Sequence, residues 1–107
     1  MKRLVGKYVL DEGYNLEAAK LMRPVLGGVP LAVVGGWRTL AKMEETLERG
    51  FADCISMSRP FIRDPFLVKK FREGRSEKAG CVSCNRCLAA EANNLPAHCY
   101  QIKFPLS

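Results

Sequence analysis

The chain has 107 residues, of which 48% are hydrophobic and 26% are charged, a composition that indicates one small globular domain over residues 1–107 and argues against intrinsic disorder. No run of about 18 apolar residues predicts a membrane span, and the N-terminal segment lacks the small-residue cleavage site of a secretory signal. We therefore expect a cytoplasmic protein with no membrane partner.

The formal net charge of the chain is +6 at pH 7. This charge suits an anionic ligand such as a phosphate group, but it equally suits a solvated basic surface, or a piece of a larger protein whose other parts carry the balancing acids. The basic residues between Arg59 and Lys78 are not interleaved with aromatic residues in a nucleic-acid recognition motif. No nucleic-acid partner is therefore predicted.

The first predicted helix is the segment LEAAKLM, which follows Asn15, a residue type that often caps helix N-termini. Leu16, Ala19 and Met22 have the spacing of one helix face. Pro24 follows as a helix breaker. The segment is therefore predicted to be an amphipathic helix.

Two short apolar segments, PLAVVGG and ADCISMS, are predicted to be strands. The first, Leu31 to Val34, is continuously apolar, which is typical of a strand covered on both faces. Between the two segments, after Thr39, Leu40, Met43 and Leu47 form a helical stripe. A helix between two strands is the crossover that parallel pairing requires, so we predict a βαβ unit.

A third helix is predicted to begin at Asp64 and Pro65, residue types that suit the N-cap and the first position of a helix. In the segment that follows, FLVKKFREG, the periodicity predicts that Leu67, Val68 and Phe71 face inward.

The periodic pattern stops after residue 75. The chain therefore divides into an αβαβα unit over residues 11–74 and a Cys-rich tail over residues 75–107, which we expect to be an irregular loop. Two parallel strands by themselves leave unpaired sheet edges and uncovered apolar faces. We therefore expect a homo-oligomer, in which a second copy supplies the missing contacts at the strand edges.

Two turns are predicted to meet at one edge of the sheet, because the carboxyl ends of parallel strands lie together. Gly35 and Gly36 follow the first strand, and Ser58 and Arg59 follow the second. Glycine lets backbone N–H groups approach a ligand closely and a guanidinium adds positive charge, so a phosphate or sulfate group could bind there. The alternative is that the glycines form only a tight turn and Arg59 is only a surface cation.

Four cysteines, Cys81, Cys84, Cys87 and Cys99, form the pattern C-x2-C-x2-C-x11-C. Two short spacings let one loop supply three ligands and the distant fourth close the site, which suits an iron–sulfur cluster, and the same set could bind zinc in a tetrahedron. An odd total of five cysteines, without an export signal, favours reduced thiols or metal ligands over disulfides. The fifth cysteine, Cys54, lies within the second strand and is predicted to be a core residue.

The other candidate polar residues are given structural roles. His98, the only histidine, is interpreted as a surface residue rather than a base or a metal ligand. Asp53, at the start of the second strand, is interpreted as a loop-bonding or helix-capping residue rather than an acid catalyst. Tyr100 and Phe104 are interpreted as anchors of the tail.

The stretch VVGGWRTLAKMEETLERGFADCISMSRPFIRDPFLVKKFREG, followed by CVSCNRC, resembles the old yellow enzyme family of FMN-dependent NAD(P)H oxidoreductases. The resemblance is nearest to the branch of 2,4-dienoyl-CoA reductase and trimethylamine dehydrogenase, and it covers roughly Asp11 to Tyr100. It implies an α/β fold that is a partial (βα)8 (TIM) barrel, made of the last two βα units and a Cys-rich C-terminal loop.

The resemblance also implies two cofactor sites. Gly35, Gly36 and Trp37, together with Ser58 and Arg59, match the turns that hold the FMN phosphate in this family, largely through backbone N–H groups. Trp37 stands where the family usually has a smaller aliphatic residue, and its side chain is interpreted as a packing group. The cysteine quartet matches the ligands of a [4Fe–4S] cluster that relays electrons to a further domain, so the resemblance implies iron and sulfur before zinc.

No catalytic residue is assigned, because the family's proton donor and substrate-activating residues come from earlier barrel strands that this sequence does not contain. We therefore expect a truncated oxidoreductase fragment that is not catalytic alone. Two alternatives stay open: a small metal-binding module built around the four cysteines, or one half of a split oxidoreductase whose partner chain carries the missing strands.

Overall fold

The computed structural model describes residues 12–102, in which several short helices alternate with two short strands. In chain order the elements are α1 (Leu16–Met22), a 3-10 helix (Arg23–Val25), β1 (Ala32–Val34), α2 (Leu40–Glu48), β2 (Cys54–Ser56), α3 (Arg59–Arg63), α4 (Leu67–Arg72) and α5 (Arg86–Ala92). None of the helices in this range has the length and apolar character that a membrane crossing requires.

The two strands form one parallel sheet, and α2 is the crossover between them. The register places Ala32 opposite Cys54, Val33 opposite Ile55 and Val34 opposite Ser56. The predicted α/β class and the predicted βαβ unit are therefore confirmed. Because the strands run in the same direction, the turns that follow them lie at the same edge of the sheet.

Within residues 12–102, only one face of the sheet is covered. On β1, Val33 is buried, whereas Ala32 and Val34 are exposed, and on β2 Cys54 is exposed. The predictions that β1 is covered on both faces and that Cys54 is a core residue are thus both wrong for this chain. The errors have one cause: side chains alternate between the faces of a strand, and the buried cluster with the helices forms on one face only.

Trp37 is at the centre of the core, with 3% of its surface exposed. It clusters with Val33, with Ala19 of α1, with Met43 of α2 and with Ala52. The indole Nε1 donates a hydrogen bond to the carbonyl oxygen of Val33 at 3.1 Å, so the one polar atom of the buried ring is satisfied. The Trp37 side chain therefore packs the turn that follows β1 against α1 and α2.

Two residues that precede helices use their side chains for contacts distant in sequence rather than for local caps. Asn15 Nδ2 donates to the carbonyl oxygen of Val34 at 2.7 Å, which joins the start of α1 to the end of β1. Thr39 Oγ1 donates to Oε2 of Glu12 at 3.0 Å. Both contacts tie the segment before α1 to the turn after β1.

The segment after β2 contains two helices where one was predicted. α3 covers residues 59–63, and α4 begins at Leu67 rather than directly after Asp64. Asp64 accepts a hydrogen bond from the Phe66 N–H at 3.0 Å, which forms a turn before the helix. It also forms an ion pair with Lys70 at 2.6 Å. Val68, which was predicted to face inward, is 52% exposed, because no part of the described chain covers that side of α4.

The Cys-rich tail is not wholly irregular, since residues 86–92 form α5. Asn85 immediately before this helix has φ of 65°, and Ser83 has φ of 60°. Left-handed backbone at two non-glycine residues in three positions is uncommon, although asparagine tolerates it. The helix is only two turns long, and its pattern of thiol and alanine side chains gave no helical periodicity in the sequence. Phe104 lies outside the described residues.

Candidate functional site

The two predicted turns enclose a small cleft at the carboxyl edge of the sheet. This cavity of about 40 Å³, named here the phosphate cleft, is lined by both turns and by the start of the tail, including Gly35, Gly36, Trp37, Arg38, Ser58, Arg59, Cys81 and Ser83. The structure thus brings together all five residues predicted to bind a phosphate. It adds Arg38, which the sequence reasoning did not select.

Gly35 has to be glycine for two separate reasons. Its φ is +136°, a backbone conformation that other residues rarely adopt. A Cβ on Gly35 would lie 2.9 Å from Nδ2 of Asn15 and 2.9 Å from Cε2 of Tyr14, closer than carbon atoms approach without displacement. The carbonyl oxygen of Gly35 also accepts the Gly13 N–H at 3.0 Å. The turn is therefore fixed by the segment before α1.

Arg38 lines the phosphate cleft and carries a buried donor without a partner. Its main chain is fully engaged, since the N–H donates to Oε1 of Glu12 at 2.8 Å and the carbonyl oxygen accepts the Ala79 N–H at 2.7 Å. Its side-chain Nε, however, is buried and has no hydrogen-bond partner within residues 12–102. A buried donor is costly to leave unpaired. Arg38 and Arg59 are the two arginines among the residues that line the cleft.

Glu12 holds the backbone of this region in place. Burial alone raises the pKa of its carboxyl group, but hydrogen bonds from the N–H groups of Thr39 and Arg38 outweigh burial and lower the pKa below its ordinary value. Lys42 Nζ lies 3.6 Å from Oε2 and acts in the same direction. Glu12 therefore stays ionised at neutral pH and anchors the start of α2.

Arg59 lies between the phosphate cleft and the tail. It is the first residue of α3, and its guanidinium Nη1 donates a hydrogen bond to Oδ1 of Asn85. Asn85 is 8% exposed, so this contact is largely shielded from solvent. Sequence reasoning missed Asn85, although its place inside the motif CVSCNRC was a usable signal. Arg59 thus connects the turn after β2 to the cysteine loop.

A second small cavity lies on the other side of Arg59. This cavity of about 20 Å³, named here the thiol cavity, is lined by all four predicted ligands, Cys81, Cys84, Cys87 and Cys99, together with residues that include Arg59, Asn85, Tyr100 and Gln101. Within residues 12–102, no group of three or more His, Cys, Asp or Glu side chains has the arrangement that holds a metal ion. The four thiols therefore share a cavity without forming a closed ligand shell.

Three of the four sulfurs receive hydrogen bonds from nitrogen donors. The Ser83 N–H lies 3.5 Å from the Cys81 sulfur. Gln101 Nε2 lies 3.3 Å from the Cys84 sulfur, and Arg63 Nη1 lies 3.6 Å from the Cys99 sulfur. N–H donors stabilise the thiolate form that ligates metals, and they are the usual outer partners of iron–sulfur ligands. The chemistry of the donor set therefore fits a thiolate-ligated cluster.

The pKa values of two thiols shift in opposite directions. Burial raises the pKa of Cys84, but the Arg86 N–H, the Gln101 amide and the Arg86 charge outweigh it, so the pKa is lowered overall. For Cys87, burial is the largest cause of a raised pKa, and the neighbouring Cys81 and Cys84 add to it. The thiols are thus electrostatically coupled, as ligands of one site would be.

The remaining polar residues have structural contacts. The His98 ring stacks on Tyr100 with centroids 3.8 Å apart, and the Tyr100 hydroxyl donates to the carbonyl oxygen of Pro96 at 2.8 Å. Both contacts of Tyr100 lie within the tail, so its predicted role as an anchor stays a prediction. Asp53 accepts the Leu31 N–H at 2.8 Å and a hydrogen bond from Arg23 at 3.0 Å, which confirms its predicted loop-bonding role.

Residues 10–78 match the NADH:flavin oxidoreductase / NADH oxidase family. The chain belongs to this family. The match covers both strands, both turns of the phosphate cleft and α1 to α4, and it confirms the resemblance to the old yellow enzyme family stated above, near the branch of dienoyl-CoA reductase and trimethylamine dehydrogenase. The family consists of flavin-dependent oxidoreductases.

Curated relatives support this family assignment. The chain is 35% identical over 86 residues to the 4,4'-dithiodibutanoate disulfide reductase of Rhodococcus erythropolis, which covers 80% of this chain and 21% of the relative. It is 40% identical over 65 residues to the NADH-dependent flavin oxidoreductase iliE of Neonectria sp. (strain DH2), a match that covers 61% of this chain and 8% of the relative. It is 35% identical over 74 residues to the dimethylamine dehydrogenase of Hyphomicrobium sp. (strain x), a match that covers 67% of this chain and 10% of the relative.

This oxidoreductase-family chain therefore spans about a fifth or less of the length of these relatives. No solved structure gives a significant match to it.

Proposed function

We propose that this chain forms the part of an FMN-dependent NAD(P)H oxidoreductase barrel that binds the phosphate end of FMN. The observation that carries the proposal is a cleft built from two strand-end turns and lined by two arginines, Arg38 and Arg59. In parallel α/β barrels, ligands bind at the carboxyl ends of the strands, and phosphate groups often lie between the last two. Arg38 and Arg59 supply two positive charges for a phosphate dianion there.

The uncovered face of the sheet supports a partial barrel. Ala32 and Val34 of β1, and Cys54 and Ser56 of β2, all lie exposed on the same face. In a (βα)8 barrel, one face of every strand points into the closed interior, where side chains from neighbouring strands fill the space. The small and apolar side chains on this face suit such an interior, and the βα arrangement of residues 31–63 suits the last two units.

The thiol cavity is proposed to hold a [4Fe–4S] cluster, with zinc as the less favoured occupant. Four thiols line one cavity, and three of them already accept N–H donors. Tetrahedral zinc would need the sulfurs within about 4 Å of one another, whereas a cluster places iron and sulfide between them. The match of the quartet to the cluster ligands implied by the family resemblance favours the cluster over zinc. Such a cluster supplies one-electron chemistry when bound.

The chain is proposed to be non-catalytic alone. FMN supplies hydride-transfer chemistry when bound, and the residues described here would bind and orient its phosphate. The residues that line the phosphate cleft are backbone groups, arginines, serines and packing residues. None of the described residues at the cleft is a histidine, tyrosine or carboxylic acid placed to move a proton to a substrate.

Flavin binding by the purified protein tests the phosphate part of this proposal. FMN should bind and be displaced by inorganic phosphate, while riboflavin, which lacks the phosphate, should bind much more weakly. Arg38→Gln should lower the affinity for FMN about tenfold, the effect of one charged hydrogen bond. Arg72→Gln, which changes an exposed arginine of α4, is the matched control and should leave binding unchanged. Equal affinity for riboflavin and FMN would contradict the proposal.

A second candidate function is a metal-binding module that is independent of any flavin. The specific observation that favours it is the convergence of all four thiols on one cavity. The visible spectrum of protein purified without oxygen, combined with iron and zinc analysis, separates the candidates. A broad brown absorbance with iron supports the cluster, and stoichiometric zinc in colourless protein supports the module.

Self-association, or pairing with a chain that carries the missing strands, is proposed from exposed apolar side chains on α1, on the 3-10 helix and on β1. Leu21 and Val25 are 79% and 81% exposed, and Val34 is 48% exposed. Apolar groups and unpaired strand edges of this kind are usually covered by another chain. Light scattering should therefore report a dimer or larger assembly at micromolar concentration, and a mass equal to one chain would contradict self-association.

A further inference from the structure

The fourth thiol of the cavity, Cys99, has no local reason to lie beside the other three. Eleven residues separate it from Cys87, and α5 occupies much of that interval, ending at Ala92. The contacts within the returning segment are mostly local, such as the Tyr100 hydroxyl to Pro96. The Gln101 amide joins this segment to the Cys84 sulfur, and a contact to the Cys99 sulfur itself has to come from elsewhere in the chain.

Arg63 makes such a contact. It is the last residue of α3, one helical turn after Arg59, so the two guanidinium groups leave the same side of the helix. The Nη1 atom of Arg63 lies 3.6 Å from the Cys99 sulfur, and the contact is partly buried. A short helix fixed at the end of β2 thus reaches across to the most distant ligand.

The Arg63 side chain passes close to the backbone of Gly80. A Cβ on Gly80 would lie 3.1 Å from both Cδ and Cζ of Arg63, and closer still to its Nε. The guanidinium therefore lies directly against the backbone of Gly80, the residue immediately before Cys81. A side chain at residue 80 would displace the Arg63 guanidinium, so glycine at this position leaves room for a positive charge between the two ends of the cysteine motif.

We propose that Arg63 is the positioning residue of the thiol cavity, which holds the sulfur of Cys99 beside the other three thiols and offsets their negative charge. The inference rests on the iron–sulfur part of the proposed function. Its physical basis is that four thiolates concentrate negative charge, and a guanidinium keeps its positive charge at every accessible pH. Hydrogen bonds from outside the ligand set also orient metal ligands and tune the potential of the metal.

The test compares Arg63→Gln and Arg63→Lys with wild-type protein and with the control Arg72→Gln, after anaerobic reconstitution with ferrous iron and sulfide. We expect Arg63→Gln to lose iron to a chelator about tenfold faster than wild type. Its remaining cluster should have a more negative midpoint potential, because a positive charge has been removed. Arg63→Lys should restore much of the potential, and Arg72→Gln should match wild type in both measurements.

A second variant, Gly80→Ala, keeps the charge but displaces the arginine, and it should also speed iron loss. Equal rates of iron loss and equal potentials in Arg63→Gln and wild type would overturn this inference and leave the proposed cluster standing. Failure of wild-type protein to take up iron would instead overturn the iron–sulfur proposal.

If wild-type protein takes up no iron, hydrogen exchange on the metal-free protein tests whether Arg63 positions Cys99. Amides around Cys99 should exchange about fivefold faster in Arg63→Gln, as expected for the loss of one hydrogen bond, while those of α2 stay unchanged. Unchanged exchange around Cys99 would overturn the positioning role.

Discussion

The phosphate cleft is lined by the turns that follow two paired strands, whereas the thiol cavity is lined mainly by side chains on a loop with little regular structure. The turn at Gly35 is fixed by hydrogen bonds to Gly13 and by the packing of Trp37. The cysteine loop depends instead on left-handed backbone at Ser83 and Asn85 and on single contacts from distant side chains.

The difference teaches how the two sites respond to change. A site made of backbone at strand ends is as stable as the sheet and core that carry it, so damage to it should appear in the stability of the whole domain. A site made of side chains on a loop can lose its geometry while the rest of the chain stays folded. Arg59 and Cys81 belong to both regions, since each of them lines the two cavities.

The largest effect should come from Gly35→Ala, which breaks the backbone-built site. The new Cβ meets Asn15 and Tyr14 at 2.9 Å and forces a residue with a side chain to adopt φ of +136°. We expect the free energy of unfolding to fall by about 3 kcal/mol, together with loss of phosphate binding. Urea unfolding followed by circular dichroism measures the change.

Gly28→Ala is the matched control, because a Cβ there meets nothing within 4 Å. It should leave stability unchanged or raise it by about 0.5 kcal/mol. If the two variants unfold at the same urea concentration, the first turn is not rigidly fixed, and the contrast between the two regions fails.

An intermediate effect is expected from Arg59→Gln, which tests whether the two regions are joined. Loss of its charge should lower affinity for inorganic phosphate about tenfold, or about 1.4 kcal/mol, and loss of its bond to Asn85 should loosen the cysteine loop. Calorimetry and hydrogen exchange measure the two effects separately.

Asn85→Gly is the comparison variant for Arg59, since glycine accepts the left-handed backbone of residue 85 but removes the side-chain acceptor. Exchange in the cysteine loop should rise in this variant while phosphate affinity is retained. Loss of phosphate affinity in Asn85→Gly as well would mean that the cleft depends on the loop, contrary to the comparison drawn above.

The smallest effect should come from Asp53→Asn at the amino end of β2, far from both cavities. The hydrogen bond from Arg23, followed by the Leu31 N–H, lowers the pKa of Asp53 to about 2. Because its folded-state pKa lies below the ordinary value of 3.8, Asp53 stabilises the fold above about pH 4, and this contribution is lost as the pH falls toward about 2.

Urea midpoints measured across this acidic range should therefore fall less steeply in Asp53→Asn than in wild type. The effect should be small, because the ion pair is open to solvent and screened. A variant with the same pH profile as wild type would show that the contacts of Asp53 with Arg23 and Leu31 do not contribute to the pH dependence of stability in this range.

Sequence reasoning succeeded where local pattern decides the structure. Three local patterns predict the βαβ unit: the apolar run after Pro30, the stripe in α2 and the paired glycines. A helix between two strands is the crossover of a parallel pair, so both turns lie at one edge of the sheet. The five phosphate-cleft residues and the four thiols were likewise found from the sequence, and each set lines its own cavity.

The errors arose where tertiary surroundings decide. Cys54 and Val68 have apolar neighbours in sequence, yet both are exposed, because burial depends on what covers a face rather than on the composition of the segment. The split of one predicted helix into α3 and α4 follows from the Asp64 turn. The existence of α5 depends on the left-handed residue before it.

By itself, the sequence determined the βαβ order and the candidate residues of both sites, because spacing along the chain is enough to specify these, and its motifs carried the resemblance to the family. Only the tertiary structure decided that Arg38 lines the cleft with a buried donor, that Arg59 and Asn85 connect the two cavities, and that Arg63 reaches Cys99 across Gly80. Hydrogen bonds between residues 26 to 36 positions apart leave no periodic signal in a sequence, since they depend on how the elements pack.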